Sequence, residues 1–295
     1  MRINPNPTLD LLAALSLTQE DQQTALEQLA SGRRVNKPSD DPAAAAVLVQ
    51  NHARASQADE FLRSIGSIGA QLETVDSALN SVVLALQRAL TLGVEGANGT
   101  LSDGNRAALV DELDGIKKQL VGLGNLSFQG RFVLAGTASQ SPPFVLDSTA
   151  ASGIRYDGNA NVNAVAVGNG FSLQINQPGS QVFTASGSDV FQAISDLVTA
   201  LQTGSSTGAS IVSVRQALDH IAIQRVFYGN ALNQMDSQQT LLNSEKLELS
   251  RQEDAVGGAD MAVVVSRLTN AQNARNATLA AAAKVSQISL FDFLR

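Results

Sequence analysis

Two histidines are the side chains of this sequence best suited to proton transfer or metal binding, and they lie far apart. His52 and His220 are the only histidines in the 295-residue chain. A helix that holds a metal ion with histidines needs a second one about one turn away, and neither residue has such a neighbour. We therefore predict that both imidazoles lie on the surface of a helix or at an interface.

Two adjacent carboxylates, Asp40 and Asp41, could suggest acid–base catalysis. Such pairs are held on opposite sides of a substrate, which neighbouring residues cannot achieve. Asp41 precedes Pro42, whose restricted φ suits the first position of a helix. A carboxylate there accepts hydrogen bonds from free backbone N–H groups and complements the helix dipole. The two residues therefore predict a helix start.

A glycine-rich turn, Gly168-Asn169-Gly170, could suggest a phosphate-binding loop. It lacks the third glycine and the following helix of a dinucleotide-binding fingerprint, so it predicts a β-hairpin turn. The chain has no cysteine, which excludes thiolate metal sites, and its net charge of −7 offers no basic surface for nucleic acid. We predict no catalytic, cofactor-binding or metal-binding residue and no enzymatic activity.

The beginning of the chain does not read as a signal peptide. Asparagine and proline residues occur in 1–7, where a signal peptide requires an apolar run. No uncharged apolar stretch of about 18 residues follows anywhere in the sequence. We therefore expect neither signal-peptide export nor insertion into a membrane.

Helices must position most of these residues, and both ends of the chain carry apolar stripes at helical spacing. Steps of three and four residues place side chains on one helix face. The first stripe consists of Leu12, Leu15, Gln19, Gln22, Leu26 and Leu29. The second consists of Met261, Val264, Leu268, Ala271, Arg275, Thr278, Ala282 and Val285. The stripes are predicted to pair, and their polar members indicate a larger helical assembly in which such positions set register.

Composition divides the chain between these stripes. Predicted helices run from about Thr8 to Ser31, from Pro42 toward Val94, from a cap at Ser102 or Asp103 to Leu123, from a cap at Asp189 to about Gln202, and from near Ser210 to a break or hinge at Gly257-Gly258. After Asn125, glycine, serine, asparagine and valine become frequent, which favours strands. Predicted strands are Phe132–Leu134, Ile154–Tyr156, Val162–Val167, Phe171–Ile175 and Gln181–Thr184.

The predicted fold is mainly α with an inserted small β domain. It is a long antiparallel helical rod or coiled coil whose terminal helices pair in the assembly. Residues 1–35 and 259–295 form the predicted terminal coiled-coil domain, and 36–136 with 188–258 form the helical rod. Residues 137–187 form the inserted β domain.

The segment from Leu29 to Ala43, LASGRRVNKPSDDPA, is informative as a specific motif and not only through its apolar pattern. It resembles the N-terminal signature of flagellins and their hook-associated relatives, in which a terminal helix turns into the rod. Its signature loop consists of Ser31, Gly32, Asn36, Pro38, Ser39, Asp41 and Pro42. The stretch from Leu268 to Arg295 resembles the C-terminal helix of the same family. Gln129 to Thr137, followed by Pro142-Pro143-Phe144, is similar to the hook-associated members and less like flagellin itself.

The resemblance implies a structural adaptor that joins the hook of the bacterial flagellum to the flagellin filament. It implies self-association in a ring or helical tier, contacts with a neighbouring hook-associated protein and with flagellin, and help from an export chaperone. It also implies an extracellular location reached through the flagellar type III channel. No cofactor, nucleic acid or membrane insertion is expected.

We hypothesise that the terminal helices order only on assembly, because an isolated helix gains too little from burial to offset its ordering cost. The predicted assembly residues are Leu12, Leu15, Leu26, Leu29, Met261, Val264, Leu268, Val285, Leu290, Phe291 and Leu294. Two other functions are compatible with the stripes. A flagellin-type filament subunit would polymerise without limit, and a secreted helical adhesin would bind a ligand through its β region.

Overall fold

The computed structural model describes the backbone of residues 7–98 and 101–293 and the side chains of residues 9–98 and 101–284. Helices dominate these residues, which confirms the predicted mainly α fold. The helices are α1 (Pro7–Ser31), α2 (Pro42–Gly96), α3 (Asp103–Gly124), α4 (Gly179–Val182), α5 (Val190–Thr203), α6 (Gly208–Gly257) and α7 (Met261–Phe293). The strands are β1 (Ser127–Phe128), β2 (Arg131–Phe132), β3 (Phe144–Leu146), β4 (Ile154–Tyr156), β5 (Ala164–Gly168) and β6 (Phe171–Gln174).

Helix ends follow the capping signals of the sequence. Gly32 follows α1 with φ +68°, a left-handed conformation that glycine adopts without steric cost. Asp41 Oδ1 accepts a hydrogen bond from the Ala44 N–H at 3.0 Å at the start of α2. Ser102 caps α3 through the Asn105 N–H, and Asp189 caps α5 with two backbone hydrogen bonds of 2.8 and 2.9 Å. The predicted starts and ends are confirmed.

The strands pair in chain order as antiparallel hairpins, giving three two-stranded sheets among the described residues. In the second sheet Phe144 pairs with Tyr156 and Leu146 with Ile154. The strand predicted at Gln181–Thr184 is wrong, because this segment belongs to the helical turn α4. Pro178 precedes that turn, and the turn buries Val182 and the following Phe183 completely.

The chain divides into two compact units. The first consists of 1–57 and 244–295, and the second of 58–243. The first is wider than the terminal domain predicted from the sequence, because it includes the beginning of α2 and the end of α6. The predicted three-part division remains a prediction.

The core of the second unit is shared by helices and hairpins. Leucines at helical spacing on α2 and α3 are fully or almost fully buried: Leu72, Leu79, Leu86, Leu113 and Leu120. They belong to the same apolar cluster as Ile154 and Leu173 from the strands and Ile194 from α5. Because apolar burial is the main stabilising contribution to folding, this cluster holds the hairpins against the helices.

Aromatic side chains complete this core where α5 meets the β3–β4 hairpin. The Phe144 ring lies 5.2 Å from Phe191 and 5.3 Å from Phe183, measured between ring centroids. Phe183 and Phe191 stack at 5.6 Å. The Tyr156 hydroxyl donates to a backbone carbonyl, either Leu134 O at 3.0 Å or Asn159 O at 3.1 Å. The rings therefore fix the hairpin against α5.

Among the residues that the structure describes, one helix, α2, is long and apolar enough to cross a membrane. Its most apolar window of 18 residues has a mean hydropathy of 1.3. Buried core helices satisfy the same criterion, and Leu72, Leu79 and Leu86 of α2 lie in the core. The finding is therefore weak evidence for a membrane span.

Candidate assembly interface

The terminal helices α1 and α7 form an antiparallel pair in the first unit. On α7, Val264 and Ala271 are buried, and Leu268, Arg275, Thr278 and Ala282 are half-buried. These are members of the stripe predicted from the sequence. On α1, Leu15, Gln22 and Leu29 are half-buried, and Ala25 retains only 3% of its exposure. The predicted pairing of the termini therefore forms within one chain.

Four predicted stripe residues, Leu12, Gln19, Leu26 and Met261, are exposed and lie outside this contact. Leu12 is 61% exposed, Leu26 is 46% exposed and Met261 is 45% exposed. The α1 stripe predicted from the sequence is wider than the surface that contacts α7. Residues separated by three positions on a helix are turned about 60° from each other, so they do not all face the same neighbour. Leu15, Gln22 and Leu29 face α7, whereas Leu12, Gln19 and Leu26 lie to one side of the contact.

Polar side chains lie within the contact between α1 and α7. Arg275 Nη1 donates to Gln22 Oε1 at 3.4 Å, and Arg275 Nε is buried without a hydrogen-bond partner in the described part of the chain. Beside them lies a groove of about 420 Å³. Its lining is Thr18, Asp21, Thr24, Ala25, Gln28, Arg267, Asn270, Ala271 and Ala274. A contact with this polar content is less stabilising than an all-apolar one and restricts the register of the helices.

The signature loop connects α1 to α2 and contacts the segment between the end of α6 and the start of α7. The Arg34 N–H donates to Gly257 O at 2.7 Å, and the Ala259 N–H donates to Gly32 O at 3.0 Å. Arg33 and Gly258 form an isolated antiparallel bridge. Backbone hydrogen bonds therefore connect the loop after α1 to the segment between α6 and α7.

Side chains hold the loop in this conformation. Arg34 Nη2 lies 3.1 Å from Asp41 Oδ2 and donates to Val256 O at 2.8 Å. Asp40 accepts hydrogen bonds from the Asn36 and Lys37 N–H groups at 3.0 and 2.9 Å. These backbone donors lower the pKa of Asp40, and the Ala44 N–H, with Arg34, lowers the pKa of Asp41. Asp41 caps α2 as predicted, whereas Asp40 caps the preceding turn.

The remaining signature residues either form hydrogen bonds within the loop or are exposed. The Ser31 hydroxyl accepts from the Arg33 N–H at 3.1 Å, and Asn36 Nδ2 donates to Arg33 O at 3.0 Å. Pro38, Ser39 and Pro42 are exposed. Pro42 is the first residue of α2, as its restricted φ predicts.

Two glycines at the end of α6 allow the close contact with the loop. Gly257 is buried, and a Cβ atom there would lie 3.0 Å from Leu48 Cδ1. A Cβ atom at Gly258 would lie 2.4 Å from Asp254 O, closer than van der Waals contact allows. The glycine pair in the sequence predicts a break or hinge here, whereas the close packing depends on contacts with distant residues.

Several predicted assembly residues lie beyond the described side chains. Val285, Leu290 and Phe291 belong to α7, but their side chains are outside that part of the chain, and Leu294 lies outside the described residues. The structure also exposes apolar residues that the sequence analysis did not assign to an interface. They are Leu9, Leu17, Val263, Val265 and Leu279, each between 45 and 62% exposed.

The two histidines lie on different helices, α2 and α6. His52 is exposed on α2, and His220 Nε2 lies 2.8 Å from Gln181 O. Within residues 7–98 and 101–293, no group of histidine and carboxylate side chains is arranged to hold a metal ion. The strongest candidate site is therefore the terminal helix pair with its signature loop.

The chain is similar to known proteins of the bacterial flagellum. The bacterial flagellin N-terminal helical region matches residues 4–139. Flagellar hook-associated protein 3 of Escherichia coli K12 is 28% identical over 294 residues, covering 90% of each chain. Flagellin of Listeria monocytogenes is 25% identical over 276 residues, covering 91% of this chain and 90% of that protein.

A solved structure shows the same fold. The flagellar junction protein FlgL of Legionella pneumophila has a TM-score of 0.62 at 15% identity and covers 72% of this chain and 100% of that chain. The similar proteins named here are all components of the bacterial flagellum. Residues 4–139 of the chain match the bacterial flagellin N-terminal helical region, and nearly the whole chain is similar to flagellar hook-associated protein 3.

Proposed function

We propose that this protein is a structural adaptor of the bacterial flagellum, which joins the hook to the flagellin filament by association through its terminal helices. The observation that carries the proposal is the apolar surface left on the α1–α7 pair. Leu12 and Leu26 on α1 and Leu279 on α7 remain about half or more exposed. Burying a leucine side chain contributes roughly 1.5 to 3 kcal/mol, so several such residues can drive association.

The partners follow from the same surface and from the relatives. Copies of this chain would form a ring or helical tier, with a hook-associated protein on one side and flagellin on the other. An export chaperone would cover the terminal helices before assembly, and the unfolded chain would pass through the flagellar type III channel. Exposed apolar helices in an unassembled chain favour such a chaperone, because they otherwise promote aggregation.

The test is complementation of a strain that lacks this protein with the variant Leu12→Asp/Leu26→Asp. Both side chains are exposed in the single chain, so the variant is expected to fold. Charges on an apolar contact surface resist burial. We expect hooks without attached filaments and flagellin shed into the medium, as in the deletion strain.

The matched control is Leu146→Asp, because Leu146 is 81% exposed on β3 of the second unit. It should restore filaments as the natural chain does. An immunoblot of the medium shows whether each variant is exported, and thermal unfolding shows whether it folds. Normal swimming by cells carrying the double variant would contradict the proposal.

A flagellin-type filament subunit is the second candidate, because the flagellin of Listeria monocytogenes matches nearly the whole chain. Such a subunit would extend its own polymer. Electron microscopy of the purified protein, with and without hook fragments as seeds, separates the candidates. Long homopolymers would favour the filament subunit, whereas short caps on the seeds would favour the adaptor.

A further inference from the structure

The α1–α7 pair has two unlike sides, which helical geometry distinguishes. Each residue of an α-helix is turned about 100° from the one before. A residue three positions before a contact residue therefore lies about 60° to one side of the contact, and a residue four positions before lies about 40° to the other side. In an antiparallel pair, rotations of the same sense on the two helices lead to the same side of the pair.

Exposed residues that lie three positions before a contact residue form what we call the apolar side. On α1, Leu12, Gln19 and Leu26 precede the contact residues Leu15, Gln22 and Leu29. On α7, Met261, Val265, Gln272 and Leu279 precede Val264, Leu268, Arg275 and Ala282. The aliphatic and methionine members are between 45 and 61% exposed, and none of the seven is charged.

Residues four positions before the contact lie on the opposite side, and the groove described above marks it independently. Thr18 and Asp21 on α1 precede Gln22 and Ala25, and Arg267 on α7 precedes Ala271. All three line the groove of about 420 Å³. This polar groove carries both an acidic and a basic residue, whereas the apolar side carries neither.

The apolar side of α1 repeats the pattern by which α1 already binds a helix. Leu15, Gln22 and Leu29, at steps of seven, face α7. Leu12, Gln19 and Leu26 present the same Leu-Gln-Leu order at the same spacing. A seven-residue repeat calls for a helical partner, and α7 is the helix shown to fit this order of residues.

We infer that α7 of a second copy of this chain packs along the apolar side, while the polar groove stays hydrated. The inference rests on the proposed function and specifies which surface and which helix make the contact between subunits. Each α1 would then lie between two α7 helices, one from its own chain and one from a neighbour. Because α7 of each chain can serve the next, the contact is repeatable around a ring or along a tier.

The test replaces Leu26 or Leu279 with the photocrosslinking residue p-benzoylphenylalanine in the full chain. The matched controls carry it at Thr24 and Asn270, exposed residues of the polar groove. The variants are expressed in the deletion strain and irradiated on cells with attached filaments. We expect the variants at Leu26 and Leu279 to give a covalent dimer of this chain, and the Leu26 crosslink to map to α7 of the second copy. The control variants at Thr24 and Asn270 should give no such dimer.

Cysteine variants give a second measurement with a smaller side chain, since the natural chain has no cysteine. Leu26→Cys should react with maleimide in the free chain and lose that reactivity in assembled flagella. Thr24→Cys should react in both states. Protection of Thr24→Cys with continued labelling of Leu26→Cys would overturn the inference.

Other crosslinking results also decide the question. A dimer formed mainly from Thr24 or Asn270, adducts with flagellin or another hook protein alone, or no adduct from Leu26 and Leu279 would each overturn the inference. Attached filaments in the same cells would leave the adaptor function standing in those cases. Filaments that form without this protein at all would instead refute the proposed function.

Discussion

Arg34 Nη2 lies 3.1 Å from Asp41 Oδ2, an ion pair within the signature loop that holds the residue capping α2. The same nitrogen donates to Val256 O at 2.8 Å, so one side chain connects the signature loop to the end of α6. We expect Arg34→Met to loosen this connection and to increase cleavage near residue 257 in limited proteolysis. The matched control is Arg33→Met, because its neighbour Arg33 is exposed and contributes its backbone to the bridge with Gly258. Equal cleavage of the two variants would contradict a role for the Arg34 side chain.

Acid should destabilise the first unit through Asp40 and Asp41. Backbone hydrogen bonds to both carboxylates lower their pKa below the ordinary value of 3.8. Carboxyl groups with a lowered pKa in the folded state stabilise it fully at higher pH, and this contribution is lost as pH falls through 3.8 and below. We expect the unfolding temperature of the first unit to fall more steeply over this range in the natural chain than in Asp40→Asn/Asp41→Asn. Asp111→Asn, at an exposed position of α3, is the control and should leave the slope unchanged.

Neighbouring leucines on α2 should differ sharply in their effect on stability. Leu86 is fully buried, whereas Leu84 is 58% exposed. Leu86→Ala leaves a cavity and should cost about 2 to 5 kcal/mol of the free energy of unfolding. Leu84→Ala should change it by no more than about 0.5 kcal/mol. Urea unfolding followed by circular dichroism measures both, and equal losses would show that α2 is not oriented as described.

Glycines of α6 should respond in opposite directions to alanine. At Gly229 a Cβ atom would meet nothing within 4 Å, so Gly229→Ala should stabilise the helix by roughly 0.5 to 1 kcal/mol. At Gly258, just beyond the helix, a Cβ atom would lie 2.4 Å from Asp254 O. Gly258→Ala should therefore displace the bridge with Arg33 and lower the unfolding temperature of the first unit. Stabilisation by both variants would refute the described geometry at Gly258.

A charged contact links α2 to α6 in the second unit. Arg225 donates from Nε and Nη2 to the two oxygens of Asp76 at 3.0 and 3.1 Å, and from Nη1 to Asn80 at 2.9 Å. Two-point contacts of this kind hold a guanidinium in a fixed orientation. In a double-mutant cycle with Arg225→Met and Asp76→Ala, we expect a coupling energy of about 0.5 to 3 kcal/mol. Additive effects would mean that solvent screening cancels the contact.

Local signals in the sequence were sufficient for helix boundaries. Gly32 ends α1, Asp41 and Pro42 begin α2, and Asp189 caps α5, because each signal depends on conformations and hydrogen bonds within a few residues. Among the described side chains, the α7 stripe was also predicted correctly apart from Met261, which is exposed.

Short apolar segments were harder to predict. Gln181–Thr184 was predicted to be a strand, and the strand at Phe144–Leu146 was not predicted. An apolar run of a few residues suits either conformation, so its environment decides. Phe144 forms a strand because it pairs with Tyr156, while Phe183 is placed by its stacking on Phe191.

The sequence by itself determined the mainly helical fold, the helix ends and the presence of apolar stripes at both termini, since these depend on local propensity and spacing. Only the tertiary structure decided that Leu15, Gln22 and Leu29 face α7 while Leu12, Gln19 and Leu26 lie to one side. It also decided that the backbone at Gly257 and Gly258 lies in close contact with the signature loop. A spacing of three and four residues describes a stripe wide enough for two neighbours, and the packing of a particular helix determines which part of it is covered.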